Sequence, residues 1–188
     1  MRVRREQLAQ AAGTNQYGVG RKAGAQLLYK TLQALAEAYP EAVFIKVDMK
    51  AAFQSMERQP AFEALAAEVP ELAAALEAWY KDPATHLWRD ASGNFEEVVR
   101  GRGFDQGCPL AAGAFCVEQK TALEPFLNHL RTLDPEARLL SFLDDTYLVL
   151  RKELALLALT GFQQAVAPLG MELNPRKTLV WSPSGPQD

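Results

Sequence analysis

Apolar positions recur along the chain in two rhythms. Between residues 24 and 39, Leu27, Leu28, Leu32, Leu35 and Tyr39 return at helical spacing and predict one amphipathic helix. Residues 42–47 (AVFIKV) then form a mainly apolar, partly β-branched run between Pro40 and Asp48, which reads as a buried strand ending at Asp48. The Ala/Leu/Glu-rich stretch 61–78 has helical composition, and Pro70 divides it into two short helices. Residues 84–90 and 95–101 flank the turn signal Ser92-Gly93-Asn94 and predict a hairpin. A long helix is expected over 109–130, with Pro109 in its first turn and Pro125 kinking it. Two apolar runs, 139–143 and 147–150, joined through Asp144-Asp145, predict a second hairpin. Residues 153–168 read as a helix stopped by Pro168 and Gly170, short strands are expected near 171–173 and 178–182, and 183–188 as a frayed tail.

With the 109–130 helix as the first crossover, the order is strand 42–48, helix, strands 139–143 and 147–150, helix, strand 171–173. That is the split βαββαβ order of a ferredoxin-like antiparallel sheet in an α+β fold, with helices packed on one face. Residues 52–107 become an insertion of helices and a hairpin after the first strand. The topology carries the end of strand 42–48 to the 144–145 turn.

Composition narrows the class. The chain has 188 residues, 48% hydrophobic and 23% charged, enough to bury one core without staples. No apolar run approaches the ~20 residues of a membrane span, and no apolar segment follows the basic start, so neither a membrane protein nor a secretory signal is expected. Cys108 and Cys116 lie eight apart in what reads as one helix, a poor disulfide geometry, so reduced thiols and an intracellular location are expected, the nucleus among the candidates. His86 and His129 are isolated, which leaves no Cys/His metal cluster. Net charge is −3, mildly against a general nucleic-acid coat. Yet residues 1–30 hold Arg2, Arg4, Arg5, Arg21, Lys22 and Lys30 against Glu6 alone, a distribution suited to binding nucleic acid on one face.

Three segments carry candidate chemistry. Asp48 ends an apolar strand and opens a helix, where an Asp taken by itself is more often a helix N-cap than a catalyst. Asp144-Asp145 is a poor two-residue hairpin sequence, since such turns favour Gly or Asn, and adjacent carboxylates repel unless a cation offsets them. Together, three carboxylates at one sheet edge make an oxygen-ligand site suited to Mg²⁺. Two such ions ~3.5–4 Å apart activate an attacking hydroxyl and stabilise a leaving oxygen. In the stretch 102–110 (RGFDQGCPL), glycines flank Phe104-Asp105-Gln106. They either admit a ligand close to the backbone, ahead of a helix start that favours anions, or simply serve a tight turn.

In order, these segments resemble the motifs of reverse transcriptases. Residues 44–53 (FIKVDMKAAF) resemble motif A, residues 102–110 motif B, residues 142–145 (FLDD) motif C, and residues 170–178 (GMELNPRKT) motif D. Residues 15–20 (NQYGVG) with Gly24-Ala25 resemble the segment preceding motif A in non-LTR retrotransposon enzymes. The resemblance implies a polymerase palm over 41–182 and a leading helix with partial fingers over 1–40. It implies an RNA-directed DNA polymerase that extends a primer 3′-OH with dNTPs on an RNA template and a DNA primer, using Mg²⁺, with Mn²⁺ as a substitute. Position by position, Asp48 and Asp144 would hold both metals with Asp145 assisting. Phe53 would pack under the incoming sugar and exclude its 2′-OH, Gln106 and Gly107 would contact nucleotide and template, and Lys177 would lie near the triphosphate and protonate the leaving pyrophosphate. Ala111-Ala112 replaces the Ser-Pro frequent in the family. No thumb and only a reduced basic fingers segment can be read, so a longer chain is expected to supply them. The rivals are an RNA-copying RNA polymerase, against which Phe53 speaks, a nucleotide cyclase, whose Gly-Gly-acidic hairpin is absent, and an inactive nucleic-acid-binding remnant of a retroelement polymerase.

Overall fold

The computed structural model describes residues 5–105 and 107–185. Its centre is a four-stranded antiparallel sheet. The strands are β1 (Ala42–Val47), β4 (Arg138–Phe142), β5 (Asp145–Arg151) and β6 (Leu179–Trp181), in the order β4-β5-β1-β6. The order follows from burial. Val43, Ile45 and Val47 alternate with Phe44 on β1, and both sets are buried, so β1 must be central. Its neighbours are β5, in the register Val47↔Thr146 to Ala42↔Arg151, and β6, with Ile45↔Val180.

The two crossover helices are α6 (Ala111–Leu133) and α7 (Ala155–Val166). Both bury one stripe against the same sheet face, where Phe115, Leu127, Leu130, Phe162 and Val166 meet Ile45, Val47 and Leu148. Phe126 and Phe162 lock the pair edge to face, their ring centres 5.9 Å apart. The other face is partly covered by α2 (Gly24–Ala38), whose Leu28 packs with Tyr17, Phe44, Leu140 and Val149. The mixed α+β fold with helices against an antiparallel sheet is as the sequence predicts, and α2 adds cover on the second face.

The insertion after β1 contains a one-turn helix α3 (Ala52–Ser55), then α4 (Arg58–Glu68) and α5 (Pro70–Tyr80), separated by Val69 alone, with Pro70 the first residue of α5. The hairpin β2 (Ala84–Arg89) and β3 (Phe95–Arg100) follows. Gly93 takes the left-handed conformation its turn needs, and Asp90 caps the turn by accepting from the Asn94 N–H at 2.8 Å.

Several expectations are corrected. The stretch 171–173 is not the fourth strand of the sheet. Caught between Gly170 and Pro175 it forms a single bridge, Met49↔Leu173, and β6 takes the place beside β1. The second hairpin turns at Leu143-Asp144, with Asp145 already the first residue of β5. Pro109 lies in a turn ahead of α6, so Cys108 is outside that helix and Cys116 inside it. Helix α1 (Arg5–Ala12) was not expected, although Leu8, Ala11 and Ala12 carry its spacing. Among the described residues, no helix is long and apolar enough to cross a membrane.

Candidate active site

The site begins where β1 ends. Asp48 follows Val47 and is held through its backbone. Its N–H donates to Thr178 Oγ1 at 3.3 Å, and its carbonyl accepts from the Asn174 N–H at 2.8 Å. Helix α3 starts only at Ala52, with Ala51 ahead of it, so Asp48 is not a helix cap and its carboxylate is free of that duty. The same contacts dock residues 174–178 against the strand end and place Lys177, exposed, in the loop beside Asp48.

On the neighbouring strand, Val47 pairs with Thr146, so one further step along the ladder sets Asp48 opposite Asp145. Asp144 sits in the two-residue turn before it. Leu143, the first turn residue, has φ 55°, a conformation glycine usually supplies. A leucine there costs on the order of 1 kcal/mol. The Asp144 carboxyl is raised above the usual aspartate range, first by loss of solvent, then by the negative charges of Asp145 and Asp48. Asp145 turns to Lys46 on β1, at 2.9 Å, and that contact raises the Lys46 ammonium. The topology therefore brings all three expected carboxylates to one sheet edge. It puts Asp48 and Asp144 in each other's field and gives Asp145 a cation partner. Among the described residues, no group of three or more Asp, Glu, His or Cys side chains is gathered closely enough to hold a metal ion by itself. A two-carboxylate set still suits Mg²⁺, which binds through one or two carboxylates plus substrate phosphates rather than an all-protein cage. The mutual repulsion at Asp144 is what a cation would relieve.

Next to Asp144 opens a cleft of about 360 Å³, lined by Phe53, Asp105, Gly107, Cys108, Leu143 and Asp144 among others. Phe53 lies on α3 and stacks on Phe115 of α6, ring centres 4.5 Å apart, so the half-buried ring forms a braced wall. Gly107 and Cys108 line the same cleft. Gln106 lies outside the described residues.

The stretch 100–105 is fastened by groups that no motif announced. Gly103 N–H donates to the Met56 carbonyl and Phe104 N–H to the Phe53 carbonyl, each at 2.8 Å. Gly103 has φ 71°, and a Cβ there would stand 2.2 Å from the Gln54 carbonyl oxygen, so only glycine lets this stretch lie on α3. Arg58, 8% exposed, donates to the carbonyls of Gly103, Tyr80, Asp82 and Arg100. Asp105 pairs with Arg100, and its N–H donates to the Tyr80 hydroxyl oxygen at 3.3 Å. Burial, then Cys108, raises the pKa of that tyrosine. Arg58 gives no sequence signal, because its partners are backbone carbonyls from distant segments.

The profile of the reverse transcriptase (RNA-dependent DNA polymerase) family matches residues 3–186. The chain belongs to the reverse transcriptase family. This reverse transcriptase domain is similar in fold to apo telomerase from Candida tropicalis truncated from its C-terminal domain, with TM-score 0.68 and 15% identity. That match covers 97% of this chain and 40% of the telomerase. It is also similar to telomerase from Candida albicans in complex with a fragment of telomeric RNA, with TM-score 0.66 and 14% identity, covering 94% of this chain and 34% of that one. The domain thus spans about two fifths or less of these relatives' length. No curated protein sequence matches it.

Proposed function

We propose that this domain is the palm, with part of the fingers, of an RNA-directed DNA polymerase that adds dNTPs to a primer 3′-OH on an RNA template. The observation that carries the reading is the juxtaposition of Asp48 and Asp144 at one sheet edge with a cleft walled by Phe53. Family membership supports it, because enzymes of this family generally use divalent metals. Residues 15–25 support a non-LTR retrotransposon type, and the palm is assigned to 41–182 with fingers over 1–40.

Asp48 and Asp144 would hold Mg²⁺, with Mn²⁺ as a substitute, and Asp145 would contribute from its contact with Lys46. When bound, the metal would supply charge neutralisation to the nucleotide phosphates and lower the pKa of the attacking hydroxyl. The protein's own part is placement. The Phe53 ring lies under the sugar and leaves no room or hydrogen-bond partner for a 2′-OH. Gly107, with φ 89°, lines the cleft and would offer its backbone to the nucleotide. Lys177 stands in the loop docked on Asp48 and would meet the triphosphate and protonate the departing pyrophosphate.

Two measurements test this. Titration of Mn²⁺ into the wild-type domain should show binding at least tenfold tighter than into Asp144→Asn; equal binding would sink the shared site. Primer extension on matched RNA and DNA templates, with dNTPs and Mg²⁺ and the domain carried in a longer chain that supplies fingers and thumb, should show RNA-templated incorporation that Asp48→Asn abolishes, while the isolated domain extends poorly or not at all. Incorporation that persists in Asp48→Asn would overturn the assignment.

A further inference from the structure

The turn that presents Asp144 is held from outside the sheet. Residues 15–17 run along the open edge of β4, where Ser141 N–H donates to the Asn15 carbonyl at 2.8 Å and Tyr17 N–H to the Ser141 carbonyl at 2.7 Å. Between them lies Gln16, 4% exposed. Its side chain reaches past the end of β4 and grips Leu143 from both sides. Gln16 Oε1 accepts from the Leu143 N–H at 2.9 Å, and Gln16 Nε2 donates to the Leu143 carbonyl at 3.4 Å. The same Oε1 also accepts from the Gly18 N–H at 2.8 Å, which fixes the amide in place. Gly18 must be small for this. A Cβ there would stand 2.8 Å from the Leu143 nitrogen.

Leu143 carries the left-handed backbone of the turn, lines the cleft and immediately precedes Asp144. Two-residue hairpin turns favour Gly, Asn or Asp where φ is positive, so a leucine held at φ 55° gains from a brace outside the hairpin. We infer that Gln16, with Gly18 as its spacer, is a positioning residue that clamps the Leu143 peptide in its left-handed form and thereby holds Asp144 in the cleft and within the field of Asp48. The inference rests on the polymerase reading only for what Asp144 does once it is placed.

Gln16→Met keeps the side-chain length and apolar bulk and removes the amide. Amide hydrogen exchange, read residue by residue on the intact domain, should rise at least tenfold at Leu143, while Leu140 and Leu148 inside the hairpin stay within twofold of wild type. Mn²⁺ affinity, measured by titration, should fall about tenfold. Gly18→Ala, which keeps the Gln16 side chain but sets a methyl against the Leu143 nitrogen, should give the same loss of Mn²⁺ affinity. Unchanged exchange at Leu143 in Gln16→Met overturns the clamp, and so does loss of protection throughout the hairpin, which would make Gln16 ordinary core. Loss of Leu143 protection with Mn²⁺ affinity intact overturns the placement of Asp144. A wild-type domain that binds no Mn²⁺ overturns the polymerase reading instead, and the exchange rates, which need no metal, still decide the clamp.

Discussion

Glu118 is fully buried in α6, and neither carboxyl oxygen has a hydrogen-bond partner. Burial, followed by the charge of Glu57, raises its pKa from 4.5 to about 8, so the folded protein carries it protonated at neutral pH. The folded pKa lies above the unfolded one. The stability supplied by the protonated form is therefore complete below about pH 4.5 and lost as pH rises to about 8, at up to about 1.4 kcal/mol per pH unit. Urea midpoints should fall across that window, and Glu118→Gln should flatten the fall; an identical slope in the variant would refute the account. At Phe53 the question is selectivity. Phe53→Val should relax discrimination against rNTPs by roughly ten- to a hundredfold, from about 1–3 kcal/mol for an unsatisfied hydroxyl. It should also lower both rates, because the ring stacks on Phe115. Side-by-side dNTP and rNTP incorporation, measured with the domain in a longer chain that supplies fingers and thumb, decides it, since an unchanged ratio means the ring is only packing. The site carboxylates could be read from the sequence because their chemistry is unusual in a turn. Gln16 and Arg58 could not, because each acts on backbone groups brought near only by the tertiary fold.

Among the elements, the hydrophobic patterns of β1, β5, α2 and the Pro70 break fixed their places closely. The stretch 171–173 misled because its apolar alternation is that of a strand, while Gly170 and Pro175 leave it too short to pair beyond one bridge. Pro109 misled because a proline that suits a first turn also suits the turn before it. The 100–105 stretch depends on Arg58 more than on any ladder. Arg58→Met should lower unfolding stability by roughly 3 kcal/mol or more, because four carbonyls lose a shared charged donor. Urea unfolding measures it, and a loss under 1 kcal/mol would show that water replaces the guanidinium. Gly103→Ala should be comparably severe, and a fully stable variant would mean α3 can shift away.

At the scale of the molecule, the β2–β3 hairpin stands apart from the core. Leu87, Phe95 and Val99 are 66–68% exposed and share one of its faces by strand parity. Apolar surface of that kind favours association in water. Leu87→Lys with Val99→Lys should reduce concentration-dependent self-association, followed by sedimentation velocity; an unchanged profile would show the face to be inert.

The pairing of β1 with β5 also has a kinetic meaning. Asp48 and Asp144 are 96 positions apart, and the α3-to-β3 insertion lies between them. No local hairpin can bring them together; only closure of that long loop does, and contacts of such separation form slowly. Helices α4 and α5 and both hairpins can form before the carboxylates meet. Metal affinity should therefore emerge in the last phase of refolding, after helical ellipticity has recovered, so that a chain arrested earlier is helical yet unable to bind the ion. Stopped-flow refolding, followed in parallel by far-ultraviolet ellipticity and Mn²⁺ uptake, should show the two signals separate in time.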